Sequence, residues 1–257
     1  MGVHRSRGFR VCIGAAALLT AFSASACVRG TAGGEAERMR DALQPLHDAG
    51  SFRMAGKLRA ADGTTTAFNA LLDGRGNCKG TLGAAESLLV GERVWTRWED
   101  AALPDAVSSL NGGPLDPVDP TADQSEDKES AVMKLLRGAY MVTALPADNH
   151  AAGGIAPVCQ AGALLADAGS GTGDVTSDTV VEGSGERLQQ LSRATGPVTV
   201  RVLVPADGEP TVRRAEYSVD GGRSLTATFT DLGAPLTVSF PRDAATVASA
   251  DVLALLD

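Results

Sequence analysis

The chain has 257 residues and a formal net charge of −8, with 31 acidic side chains against 23 basic ones. That balance excludes a nucleic-acid binder, whose phosphate partner demands a basic footprint. It also excludes a polybasic grip on anionic lipid, and with only 4% aromatic residues the core must lean on Val, Leu and Ala.

The first ten residues carry Arg5, Arg7 and Arg10 and no acid, and Val11 to Ser23 is a nearly unbroken apolar run. Ala24-Ser25-Ala26 then leads into Cys27. A charged start, a short apolar stretch and a small-residue cleavage site make an export leader. The run is too short to span a bilayer, which takes ~20 apolar residues. Residues 1–26 therefore read as a bacterial lipoprotein signal peptide and Cys27 as the acylated residue, carrying palmitate or a similar chain. The expected location is the extracytoplasmic face of the cell membrane. Ordinary secretion is the alternative, because Ala24-Ser25-Ala26 also fits A-x-A and Ala24 stands where lipoboxes usually carry Leu.

Cys12 leaves with the leader, so acylation of Cys27 leaves Cys78 and Cys159 as a natural pair outside the cytoplasm. A redox pair would usually be C-x-x-C, whereas these two lie far apart, and a structural disulfide is the preferred reading. Closing so long a loop is worth ~4 kcal/mol on the chain-entropy model. Loss of the leader removes three Arg and no acid, which takes the net charge from −8 to −11.

Residues 27–35 read as a Gly-rich tether, and 36–257 as a single domain with a helical and acidic insertion at about 100–170. Glu37 to Asp48 has helical spacing, with Pro45 inside the pattern and Gly50 to stop it. The period then changes to two. Phe52, Met54 and Leu58 alternate with basic residues, Asp62-Gly63 turns the chain, and Phe68, Ala70 and Leu72 follow. Leu88 to Val90 and Val94 to Trp98 flank Gly91-Glu92, a further hairpin signal. Residues 100–130 carry Asn111-Gly112-Gly113-Pro114, Pro117 and Pro120, and Asp116 to Glu129 adds six acids against one lysine. An exposed excursion is the preferred reading over a calcium loop, since the D-x-D-x-D-G spacing is missing.

Ser130 to Leu145 predicts a second helix, and Val158 to Ala168 a short third one. After the joint Gly169 to Gly173 the alternation returns in Val198, Val200, Val202 and Val204. Turns at Asp207-Gly208, Asp220-Gly221-Gly222 and Asp231-Leu232-Gly233 separate Ala215/Tyr217/Val219, Leu225/Ala227/Phe229 and Leu236/Val238/Phe240. Regular turns between alternating runs predict a continuous, strongly curved antiparallel sheet with covering helices, an α+β fold. Residues 246–257 read as a terminal helix or a frayed tail.

Catalytic signatures are missing from the sequence. His47 and His150 sit in no zinc-ligand spacing. No serine lies in G-x-S-x-G, and Gly169 to Gly173 lacks the G-K-[ST] of a phosphate loop. The expectation is a non-enzyme without cofactor or metal.

An acylated cysteine, a Gly-rich tether, a leading helix and curved meanders separated by a helical insertion form a recognisable set. With Glu37 to Asp48 followed by Ser51-Phe52-Arg53, and with the closing stretch Phe229 to Pro241, the chain resembles the LppX/LprAFG-like lipoproteins of actinobacteria. The fold of that family is similar to the LolA and LolB lipoprotein carriers. The resemblance covers roughly residues 34–245; the acidic stretch at 100–130 and the Cys78/Cys159 pair depart from it. It implies a half-barrel around an apolar cavity, and binding or transport of a lipid or glycolipid.

The inward face would carry Phe52, Met54, Leu58, Phe68, Leu72, Val200, Val202, Tyr217, Val219, Leu225, Phe229, Val238 and Phe240, with Tyr217, Trp95 and Trp98 at the mouth. Such a sheet is filled by ligand or by the helices at 37–48 and 130–145, and the sequence leaves both open. Two functions follow: a membrane-anchored monomer that binds an amphiphile, or a cell-envelope interaction or sensor module without a small-molecule ligand. No protein partner can be named from the sequence.

Overall fold

The computed structural model describes residues 32–112, 122–147, 151–181 and 185–257. The leader, Cys27 and the tether as far as Thr31 lie outside the described residues, as do 113–121 of the acidic stretch and His150. Thr31–Asp257 form one compact unit.

Helix α1 (Ala32–Ala49) begins five residues earlier than the spacing predicts. It buries Met39, Ala42, Leu43 and Leu46, the i, i+3, i+4, i+7 stripe of a helix lying on a core. Pro45 stands on the exposed side, so it removes one solvent-side hydrogen bond without ending the helix. Gly50, at φ +65°, supplies the left-handed residue that stops it.

The meander follows: β1 (Ser51–Arg59), β2 (Thr65–Asp73), β3 (Cys78–Leu82), β4 (Ala85–Val90) and β5 (Arg93–Trp98). A 3₁₀ turn at Asp100–Ala102 leads into α2 (Leu103–Leu110), and then come α3 (Ala122–Leu136), β6 (Tyr140–Ala144) and α4 (Ala156–Asp167). The second meander is β7 (Val175–Val181), β8 (Arg187–Thr195), β9 (Val198–Pro205), β10 (Arg214–Val219) and β11 (Ser224–Thr230). After it come β12 (Thr246–Ala248) and α5 (Ser249–Leu256).

The twelve described strands form one curved, unclosed sheet in the order β12-β6-β5-β4-β3-β2-β1-β11-β10-β9-β8-β7. Every described ladder is antiparallel except β12 with β6, which is parallel. The central seam is β1 with β11, pairing Met54 with Phe229 and Leu58 with Leu225. There the backbones come so close that a Cβ on Gly56 would collide with the Thr226 carbonyl oxygen, which explains glycine inside a central strand.

Helices α1 and α4 cover the inner face of the sheet and build the first core. Gly162 lets α4 approach Leu72 and Met54, where a Cβ would sit 2.5 Å from Leu72 Cδ2. Cys78 of β3 and Cys159 of α4 form a disulfide with a Cα–Cα distance of 5.8 Å, both residues buried. At the other end of α4, Arg193 of β8 donates to the Ala168 carbonyl, the helix C-cap. A cation at a helix C-terminus complements its dipole. Burial, and then the neighbouring Arg40 charge, lowers the pKa of Arg193 below its ordinary value.

Several expectations need correction. Ser130 to Leu145 is not one helix: α3 ends at Leu136 and Tyr140–Ala144 is strand β6, which pairs with β5. Among the described residues of 100–130, Leu103, Val107 and Leu110 of α2 are no free excursion, since they join Val132, Leu136, Met141, Val252 and Leu256 in a second core. The same core holds the terminal helix expected at 246–257, α5, with the short strand β12 before it.

Leu236 to Phe240 is not a strand either. Asp231, at φ +51°, and Gly233, at φ +77°, turn the chain away after β11. Arg53 holds Asp231 at 2.7 Å, and the Gly233 N–H donates to the Ser51 carbonyl at 2.8 Å. Residues 231–242 then cross the outer face as a strap, and the Phe240 ring meets Trp95 edge-on at 5.4 Å. Trp95 pairs with Leu88 in register, so buried Leu88 shares the sheet face on which Phe240 meets Trp95.

Candidate functional site

The inner face is mostly filled. Phe52, Met54, Phe68, Leu72, Val200 and Val202 are packed in the first core, and Phe229 is half-buried with its ring edge-on to Phe52. For these positions the helices occupy the space, although it is α1 and α4 that do so rather than a helix at 130–145. Val238 and Phe240 lie on the strap, and Phe240 is 59% exposed on the opposite side of the sheet. Neither lines the inner face.

Four of the expected cavity residues do come together. Leu58 of β1, Leu225 of β11 and Tyr217 of β10 form one cross-strand row, and Val219 follows two residues beyond Tyr217. They make the sheet side of a groove of about 390 Å³. Pro157, Gln160, Ala161 and Leu164 of α4 form its other wall. Ala61 and the β10–β11 hairpin residues Gly222, Arg223 and Ser224 complete the rim. The groove lies where Leu58, Val219 and Ser224, at the ends of β1, β10 and β11, face α4.

The lining is apolar at the floor and polar at the rim. Leu225 is buried, whereas Leu164 is 48% exposed and faces the opening. Tyr217, Gln160 and Ser224 supply a phenol, an amide and a hydroxyl. Among the described lining residues Arg223 is the one charged group, and no carboxylate is present. Such a site can desolvate a hydrocarbon chain and meet a polar head at its edge. Among the described residues no group of three or more His, Cys, Asp or Glu could hold a metal ion.

Trp95 and Trp98 are not at this mouth. Trp95 lies under the strap, and Trp98 lines a polar groove of about 350 Å³ with Glu86, Arg97, Glu99 and Asp100. There Arg97 pairs with Glu86 at 2.7 Å and lies 4.8 Å from the centroid of the Tyr140 ring. Burial, and then the Glu86 charge, raises the Tyr140 pKa above its ordinary value. Sequence reasoning missed the α4 wall of the apolar groove. Its one visible signal was Leu164, an apolar side chain on the far side of α4 from Cys159 and Gly162.

The sequence matches no protein-family model and no curated protein. Among solved structures it is similar to the Mycobacterium tuberculosis lipoprotein LppX, at 13% identity over 81% of this chain and 100% of that one, with a TM-score of 0.38. It is also similar to an uncharacterized conserved protein from Thermus thermophilus, at 10% identity over 81% of this chain and 98% of that one, with a TM-score of 0.35. No helix among the described residues is long and apolar enough to cross a membrane.

Proposed function

We propose that this protein is an extracytoplasmic lipoprotein, anchored through an acyl chain on Cys27, that holds a lipid or other amphiphile without acting on it chemically. The observation that carries this reading is the apolar groove of about 390 Å³ between α4 and the ends of β1, β10 and β11. Its volume falls in the range of ligand sites, roughly 300–1,000 Å³. Burying a chain there gains ~0.8 kcal/mol per methylene and needs no catalytic group. The anchor rests on the sequence around Cys27, whose thiol would otherwise be left over beside the Cys78–Cys159 disulfide.

Native mass spectrometry of the soluble chain from Val28, with organic extraction of whatever is bound, tests the reading. The expected result is a co-purifying amphiphile of defined mass. Leu164→Glu should abolish its binding while changing stability by no more than about 0.5 kcal/mol, because the side chain is already half in water. A protein that stays empty after incubation with envelope lipids would overturn the reading in favour of an interaction module. The anchor is checked separately: Cys27→Ser should move the protein from the membrane fraction to the soluble one.

A further inference from the structure

We propose that strand β7 is a docking edge for a second copy of this chain, whose own β7 pairs with it antiparallel about a two-fold axis at Thr179. The pairing is independent of the groove and of any ligand held there. It begins from the two edges that the described sheet leaves open, β12 and β7. An edge strand presents a row of unpaired N–H and C=O groups. Proteins ordinarily blunt such rows with short strands, bulges, proline, lysine or a covering helix. Edge β12 follows that rule, being three residues long and packed against α5.

Edge β7 does not. It runs for seven residues, Val-Thr-Ser-Asp-Thr-Val-Val, five of them β-branched and none a proline or lysine. Its register with β8 is unbroken from Val175 opposite Arg193 to Val181 opposite Arg187, so no bulge turns it away. Helix α1 touches its inner side, where Val175 is buried and Ser177 donates its hydroxyl to Glu35. Thr176, Asp178 and Thr179 are exposed, and the apolar Val181 is 65% exposed. A long, regular strand of this kind is a template for strand addition.

The register of an identical strand fits it. An axis at Asp178 would set two carboxylates face to face, which is destabilising. An axis at Thr179 sets Asp178 opposite Val180 of the second copy and lays Ser177 of that copy against Val181. The start of the chain favours the same operator. Glu35 lies against Ser177, and α1 begins at Ala32, about one turn earlier. Rotation about an axis perpendicular to the sheet keeps both α1 starts on the inner side and close to that axis. Cys27 lies five residues before Ala32, so the two acyl anchors of the proposed lipoprotein enter one membrane. Confinement there raises the effective concentration, which an interface as short as one strand pair requires.

The test is cysteine crosslinking, on the full-length chain in membranes and on the soluble chain from Val28, which contains the whole compact unit. Residues facing each other across an antiparallel pair have Cα atoms about 4.5–5.5 Å apart, within disulfide reach. Thr179→Cys should therefore give an oxidised dimer. Asp178→Cys and Ser177→Cys, each displaced along the strand from its own copy, should give about tenfold less or lower. Sedimentation equilibrium of the soluble chain should show association that strengthens from ~50 to ~500 mM salt, because each copy is acidic. Thr179→Lys sets two ammonium groups face to face and should weaken that association by about tenfold or more with Tm unchanged. Absence of a Thr179→Cys dimer in both preparations would overturn the proposal. A dimer untouched by Thr179→Lys would place the contact elsewhere and overturn it as well. Crosslinking through Ser177→Cys in preference to Thr179→Cys would overturn the axis.

Discussion

The two cores solve the same problem with different geometry. In the first, α1 and α4 run across a broad curved face, and two helices cannot reach the ends of every strand beneath them. In the second, α2, α3 and α5 pack on one another at the edge formed by β6 and β12, and Val107, Val132, Leu136, Met141 and Val252 are all fully buried. Covering a wide sheet with few helices leaves room for a ligand at the uncovered strand ends, whereas mutual helix packing consumes the apolar surface it creates.

The largest test of that contrast is removal of the staple on the first core. Cys78→Ala with Cys159→Ala should cost about 4 kcal/mol and lower Tm by on the order of 10 °C, read by thermal denaturation. The unaltered protein should show a comparable loss when it is denatured in the presence of a thiol reductant. Next, Leu136→Ala in the second core should cost roughly 2–5 kcal/mol by opening a cavity. If the two regions are separate in function, ligand affinity in the groove stays unchanged in that variant, as calorimetry would show. Smaller still, Gly162→Ala should cost about 1–3 kcal/mol, because the added methyl group meets Leu72 and Met54. It should also alter groove affinity, sharpening the claim that α4 sets the wall.

The smallest effect concerns the hairpin beside the groove rim. Thr64 donates its backbone N–H to Asp62 and holds the Asp62 pKa below its ordinary value. A lowered folded-state value means the contribution is present above the unfolded pKa and lost as pH falls through the folded one. The stability gap between the unaltered protein and Asp62→Ala should therefore shrink below the ordinary value of 3.8.

Much of the first region was legible because alternation and turn chemistry agree there. Val198 to Val204, the Asp-Gly turns and the Phe52/Met54/Leu58 face all appear as strands and hairpins in the structure. Strands β7 and β8 were missed because Thr176, Ser177, Asp178, Gln189 and Gln190 break any hydrophobic period. The strap was misread for the opposite reason. Leu236, Val238 and Phe240 alternate like a strand, but they belong to a segment that lies over the sheet's outer face. The second core was hidden by its neighbours in sequence: Leu103, Val107 and Leu110 have helical spacing, yet the prolines and acids after them pointed to a loop. The groove itself depends on where α4 crosses strands that are remote in sequence on both sides, a tertiary fact that no local pattern encodes.

The order of the two cores along the chain has a temporal consequence. Every residue of the first core precedes Thr230, so none of its parts comes from α5. The second core instead joins α2 and α3 to Val252 and Leu256, and its parallel β6–β12 pair needs the strap to have been threaded across the sheet first. Long loops of this kind lose chain entropy before their contacts form. The half that bears the groove can thus close without α5, whereas the other half is complete only once α5 is in place.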